Sequence, residues 1–258
     1  EKNGLVLPDE GFPSAFGQMK DLNTIKLSSN HMAGRGLHGT ESIFKNLQAL
    51  EVFYAEKNYF TGPIPLDSLV MAKELKKLNL NFNQWTGPIS DTIGDFRNLT
   101  LLKIKSCTNV TGPVPAALGT LPKLGEFSIS NNSLTGTIPD ALSALTQITY
   151  MSFRMNRLTG TIPSWIGNMK LIYQFETWNN SMTGTIPPEL GGAISLQTLI
   201  IHNNYYTGSI PSSLGQLHNA TGLYFFNNLL TGTIPNTLSN LFLLDTVARN
   251  LRHYQKRL

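Results

Sequence analysis

The sequence predicts an α/β repeat solenoid, on three observations that share one period. A Thr-Gly pair recurs with its threonine at 61, 86, 111, 135, 159, 183, 207 and 231, at intervals of 25, 25 and then 24 throughout. A Pro-, Thr- or Ser-led triplet of the x-Ile-Pro kind follows each glycine, from PIP at 63–65 to SIP at 209–211 and TIP at 233–235. Ahead of each pair stands L-x-x-L-x-L-x-x-N, as in Leu22, Ile25, Leu27, Asn30 and in Leu75, Leu78, Leu80, Asn83. A fixed period held over most of a chain is the signature of stacked structural units.

Each piece of the unit has a physical reading. The L-x-L segment alternates inward and outward and reads as a short strand with one buried face, stable only when stacked on its neighbours as a parallel sheet. The asparagines fall where the chain leaves that strand: Asn30, Asn58, Asn83, Asn132, Asn156, Asn180, Asn204 and Asn228. An amide with two donors and an acceptor suits a buried turn whose backbone groups need partners. Cys107 takes this slot in a unit one residue longer than its successors and reads as structural, since no base accompanies it to make a nucleophile. Glycine then permits a turn closed to other residues, and proline ends the hydrogen bonding.

Composition agrees with this plan. The 258 residues carry 20 basic and 16 acidic side chains, a net charge of +4, one cysteine, 22 glycines and 14 prolines. Hydrophobic residues at 41% suffice for a core, and charged residues at 14% are sparse because neutral Asn, Thr, Gly and Pro occupy the turns. A single cysteine excludes an internal disulfide framework and a thiolate zinc site. The mild charge gives no ground for a nucleic-acid partner.

The segments "SISNNSLTGTIPDALSAL" and "FRMNRLTGTIPSWIGNM" show the resemblance to a known family. The units resemble the plant-type leucine-rich repeat, over residues 4–245. The resemblance implies a right-handed curved superhelix with a concave parallel β-sheet of about nine to ten repeats. It further implies a convex side of turns and short helical pieces, and a second short strand near G-x-I-P. Ectodomains of receptor-like kinases, receptor-like proteins and polygalacturonase-inhibiting proteins are built this way, and "TNVTGPVPAALGTLPKL" looks like that branch. Secreted members carry paired cysteines in end caps, which this chain lacks, so the expectation is an interior or processed piece of a longer protein, or an array capped by other means.

One solenoid is therefore expected over 1–258: a partial opening repeat at 1–21, repeats at 22–245, and a terminal segment at 246–258. In that last segment Val247, Leu251, Tyr254 and Leu258 recur at helical spacing among basic residues, as a lid on the final repeat or as a surface for a partner or membrane.

Chemistry is sparse. Gly34-Arg35-Gly36-Leu37-His38-Gly39 matches G-x-G-x-x-G but sits in the first repeat's turn slot, where no helix is expected to open. The five histidines lack metal-ligand spacing, and no paired carboxylates or serine elbow stand out. The expectation is a non-enzyme without cofactor or metal. Sequons at Asn98, Asn109, Asn131, Asn179 and Asn219 are permissive of secretion.

Function is expected on the concave face, where residues between the inward leucines form columns about 4.8 Å apart. Reading those residues, Ser128, Ser130 and Ser152 among them, as open to solvent yields two patches. Lys76, Lys77, Lys103 and Lys105 form a basic cluster suited to an acidic partner. Tyr150, Arg154, Tyr173, Glu176, Trp178, His202, Tyr224 and Phe226 form an aromatic band of the composition found in binding hot spots. The partner expected is a protein or peptide, held by an extracellular or membrane-associated ectodomain that meets the membrane only through flanking segments. The alternatives are a scaffold subunit whose ends are covered in a larger assembly, and an inhibitor of a secreted polysaccharide-degrading enzyme.

Overall fold

The computed structural model describes residues 13–34 and 41–245. The expected terminal helix at 246–258 and the Arg35–Gly39 part of the glycine-rich match lie outside these residues.

Among the described residues nine short parallel strands stack in chain order. They are Thr24–Lys26, Val52–Tyr54, Lys77–Asn79, Leu101–Lys103, Glu126–Ser128, Tyr150–Ser152, Gln174–Glu176, Thr198–Ile200 and Gly222–Tyr224. Their register is uniform: Met151 lies between Phe127 and Phe175, and Leu199 between Phe175 and Leu223. The central residue of every strand points inward and is buried, as is the next inward residue, from Leu80 and Ile104 to Ile201 and Phe225. Aromatic members interlock edge to face, Phe127 on Phe153 at 5.2 Å and Phe153 on Phe175 at 6.3 Å between centroids.

The asparagines perform the role their chemistry suggests. The Asn180 side chain accepts a hydrogen bond from the Leu158 amide (2.9 Å) and donates to the carbonyls of Phe153 (3.1 Å) and Thr177 (2.9 Å). Asn132, Asn156, Asn204 and Asn228 repeat this arrangement, each joining its own turn to the preceding repeat. Cys107 does what a thiol can in the same place, with Sγ 3.6 Å from the Leu80 carbonyl and 3.5 Å from that of Lys105. Burial pushes its pKa up to about 11. The residue before each ladder position sits in the left-handed region in nine successive turns, with φ between 52° and 58° from Ser29 to Asn227. Asparagine tolerates that conformation best among side-chain-bearing residues, and it stands there in four of the nine.

The second strand appears as expected in the early repeats. Ala33–Gly34, Tyr59–Pro63, Gln84–Pro88, Asn109–Pro113 and Ser133–Thr135 form a five-stranded parallel sheet. Beyond it the same edge is held by pairs of backbone bonds, such as the Ser181 amide to the Leu158 carbonyl (2.8 Å) with the Thr183 amide to that of Gly160 (2.7 Å), and the Tyr205 amide to Met182 (2.8 Å) with the Thr207 amide to Gly184 (2.7 Å). The convex side carries short 3-10 turns such as Ser164–Asn168 and Pro188–Gly192, plus the helices Glu41–Asn46 and Leu66–Leu69.

Two glycine classes have different reasons. Gly87 has φ +76° and open space where a Cβ would stand, so only its conformation requires glycine. Gly167 lies where convex turns meet, and a Cβ there would fall 1.9 Å from the Glu189 carbonyl oxygen. Gly167→Ala is therefore expected to destabilise by about 3 kcal/mol or more by forcing repeats apart. Gly87→Ala costs only about 1–2 kcal/mol. Urea unfolding of the two variants checks the order. Cys107 supplies a second check: a thiol reagent at neutral pH should leave the native protein unlabelled and label it fully on unfolding.

Candidate ligand-binding surface

The period of 24 residues turns equivalent positions into a physical column. Arg154, Trp178, His202 and Phe226 follow one another at that interval on the concave side, each just beyond its strand. The Arg154 guanidinium carbon lies 5.3 Å from the Trp178 ring centre. Trp178 stacks on His202 at 5.1 Å and 21°, and His202 on Phe226 at 4.1 Å and 11°. The result is a continuous cation–aromatic stack across four repeats, each contact of a favourable kind. A shorter stack joins Tyr150 to Tyr173 at 6.3 Å. Tyr224 is half-buried in the last described strand, one column away from Phe226.

Beneath these rings the structure corrects part of the sequence reading. Glu176, Ser128, Ser130 and Ser152 were expected to face solvent, and all four are buried, Glu176 at 3% exposure. Large neighbours from adjacent repeats enclose the smaller side chains. Glu176 Oε2 accepts from Ser152 Oγ (2.7 Å) and from the Tyr150 hydroxyl (3.4 Å), and lies 3.5 Å from Arg154 Nε. Its other oxygen accepts from the Gln174 amide. Ser152 continues through Ser130 (2.7 Å) to Ser128 (3.0 Å) as a chain of hydroxyls. Glu176 thus lies under the stack, against Arg154 and Tyr150, and not in the solvent-facing column where the sequence puts it. Burial also raises the pKa of Tyr150 and Tyr173, so both remain neutral phenols.

The lysine cluster is likewise less basic than its sequence suggests. Lys76 pairs with Glu51 at 2.5 Å and Lys103 with Glu126 at 3.3 Å, at partly exposed sites where such pairs stabilise little. Lys77 is exposed. Lys105 is half-buried, and burial, then Arg154 and Lys103, lower its pKa. The acidic partners come from neighbouring repeats, which spacing within one repeat does not reveal.

Three sequon asparagines, Asn109, Asn179 and Asn219, are exposed. Asn98 is engaged by Lys73, Glu74 and Lys123, and Asn131 donates to Ser106 while holding φ at 53°. Among the described residues no group of three or more His, Cys, Asp or Glu could hold a metal ion, and no helix is long and apolar enough to cross a membrane.

His202 is the titratable member of the stack. Burial lowers its pKa from the ordinary 6.5, outweighing the upward pull of Asn203 and Glu176. Its Nδ1 is buried without a hydrogen-bond partner among the described residues. The folded state therefore resists a proton that the unfolded chain accepts. The associated stability is fully present above about pH 6.5 and is lost as pH falls through the depressed folded value. Melting temperature should drop between pH 7 and pH 5, and more steeply than in His202→Phe, which keeps the stack and removes the titration.

Comparison with known proteins places this geometry. The Leucine Rich Repeat family model matches residues 123–145, 147–169 and 195–217. The plant peptide hormone receptor RGFR1, solved in complex with RGF2, is 30% identical with a TM-score of 0.86, over 93% of this chain and 37% of that one. A TDR receptor structure is 28% identical with a TM-score of 0.84, over 91% and 40%. The Arabidopsis receptor kinase HAESA, in complex with the peptide hormone IDA and the co-receptor SERK1, is 29% identical with a TM-score of 0.81, over 87% and 37%. The chain thus spans less than half the length of each of these relatives. With its repeat motif, its curved parallel sheet and these likenesses, the chain belongs to the plant-type leucine-rich-repeat family.

Proposed function

We propose that this chain is the non-catalytic, ligand-binding portion of an extracellular receptor-like protein, and that it binds a peptide or protein segment across its concave face. The observation that carries this reading is the Arg154–Trp178–His202–Phe226 stack, held in one geometry by the buried carboxylate beneath it. A preformed aromatic strip flanked by a guanidinium offers large contact area at little ordering cost, which is the character of a hot spot. Tyr150 and Tyr173 extend it towards the preceding repeats. An extended peptide laid across successive strands would meet one repeat about every 4.8 Å, or about two repeats for every three of its residues at ~3.3 Å each. Similarity to plant receptors solved in complex with RGF2 and with the peptide hormone IDA supports the same reading.

A displayed random-peptide library selected on the wild-type chain provides the test. Selected peptides should lose about 2 kcal/mol or more of affinity with Trp178→Ala or Phe226→Ala, measured calorimetrically. Undiminished affinity for both variants overturns the concave-face assignment. Arg154→Ala is a poorer probe, because it also removes the charge facing buried Glu176.

A further inference from the structure

The outer edge of the later repeats carries a pattern that the concave face does not absorb. The triplet T-G-T stands at 135–137, 159–161, 183–185 and 231–233, and T-G-S at 207–209. In all five repeats both flanking hydroxyl residues are exposed. The earlier repeats have Pro63, Pro88 and Pro113 in the second position, so the paired hydroxyls begin at residue 135. Two columns of five side chains result, without a charged or aromatic residue in either.

This array is fixed in three ways. Amide-to-carbonyl bonds of 2.7–2.8 Å run from each Thr to the preceding repeat's Gly, from Thr159 to Gly136 through Thr231 to Gly208, so the columns advance by about 4.8 Å per repeat. Within a triplet the left-handed glycine, with φ between 71° and 82° from Gly136 to Gly232, sets the same bend between the two side chains in every repeat. Side-chain rotation is restricted too. The Thr161 methyl lies where a Cβ on Gly184 would stand (2.6 Å), and the Thr185 methyl likewise over Gly208 (2.9 Å). The glycine that makes the turn thus also seats the neighbouring methyl. In the other column the Thr159 and Thr207 hydroxyls donate to the carbonyls of Gly136 and Gly184 at 3.3 Å, which leaves their oxygens as outward acceptors.

We infer that this strip is a second binding surface and that its ligand is the surface of ice. A rigid, uncharged lattice of hydroxyls and methyls positions water at regular intervals by hydrogen bonding and by clathrate-like packing over the methyls. Each contact is weak, and ten in register on a periodic solid act together. A protein partner would call for the aromatic and Arg-rich composition of interface centres, which the strip lacks. A polysaccharide would call for aromatic platforms, also absent from the two columns.

Ice growth in a solution of the full chain tests this. The wild type should facet ice crystals and open a gap between melting and growth temperatures. Thr161→Tyr/Thr185→Tyr should abolish both effects with an unchanged circular-dichroism spectrum. Thr183→Tyr, in the other column, should do the same if the double variant fails to fold. Trp178→Ala should retain full activity, which separates this surface from the concave one. Round ice discs with the wild type, equal activity in the folded threonine variants, or binding to microcrystalline cellulose without any effect on ice would each overturn the inference.

Discussion

The structure depends on the amide ladder along the turn that follows the concave strands. Each asparagine satisfies backbone groups of two repeats at once, taking an N–H from the earlier unit and giving its own two hydrogens to carbonyls of both. Those groups lie in a turn cut off from water, where an unpaired donor or acceptor costs about 1–3 kcal/mol. No repeat can fold alone, because half the partners of its turn belong to a neighbour. The ladder also fixes register: a slip of one residue would leave the amide without its carbonyls and turn the buried strand residues outward.

Register in turn makes the concave stack. Arg154, Trp178, His202 and Phe226 are far apart in the chain and have nothing local in common. They become a stack because the ladder brings every twenty-fourth residue to the same phase at strand spacing. The concave sheet then needs no induced ordering to present them, and the carboxylate of Glu176, pinned by Ser152, Tyr150 and Gln174, holds the first member of the stack from below. Such a carboxylate is tolerable under the surface because its acceptor sites are filled and a guanidinium stands beside it.

Most of the repeat was legible in the sequence because its determinants are local and recurrent. Asn83, Asn180 and Gly87 announce themselves by position alone, and Cys107 could be placed by counting from Leu102 and Ile104. Burial on the concave side was not legible in this way. Whether Glu176 or Ser152 reaches water depends on the sizes of Tyr150, Arg154 and Trp178 in neighbouring columns, and alternation within one strand carries no such information. The lysines show the same limit: Glu51 and Glu126, each about one repeat away in sequence, neutralise Lys76 and Lys103. A signal was available, since reading strands side by side at the 24- or 25-residue interval places these acids beside the bases. The left-handed turn residue had a signal too, in the Asn-Asn pairs at 131–132, 179–180, 203–204 and 227–228.

The two faces of one ladder differ in what they repeat. On the concave side the backbone is periodic and the side chains are not, so each repeat contributes a different group to the column. That suits a ligand with its own aperiodic order, such as a peptide, because only one register satisfies an arginine, an indole, an imidazole and a phenyl in sequence. On the outer edge of the later repeats both backbone and side chains recur, and sliding by one repeat gives nearly the same surface. A heteropolymer gains no specificity there, whereas a ligand that is itself periodic can bind in many equivalent registers. The spacing that both faces share comes from the same backbone hydrogen bonds. What divides their chemistry is whether the residues set on that spacing vary from repeat to repeat.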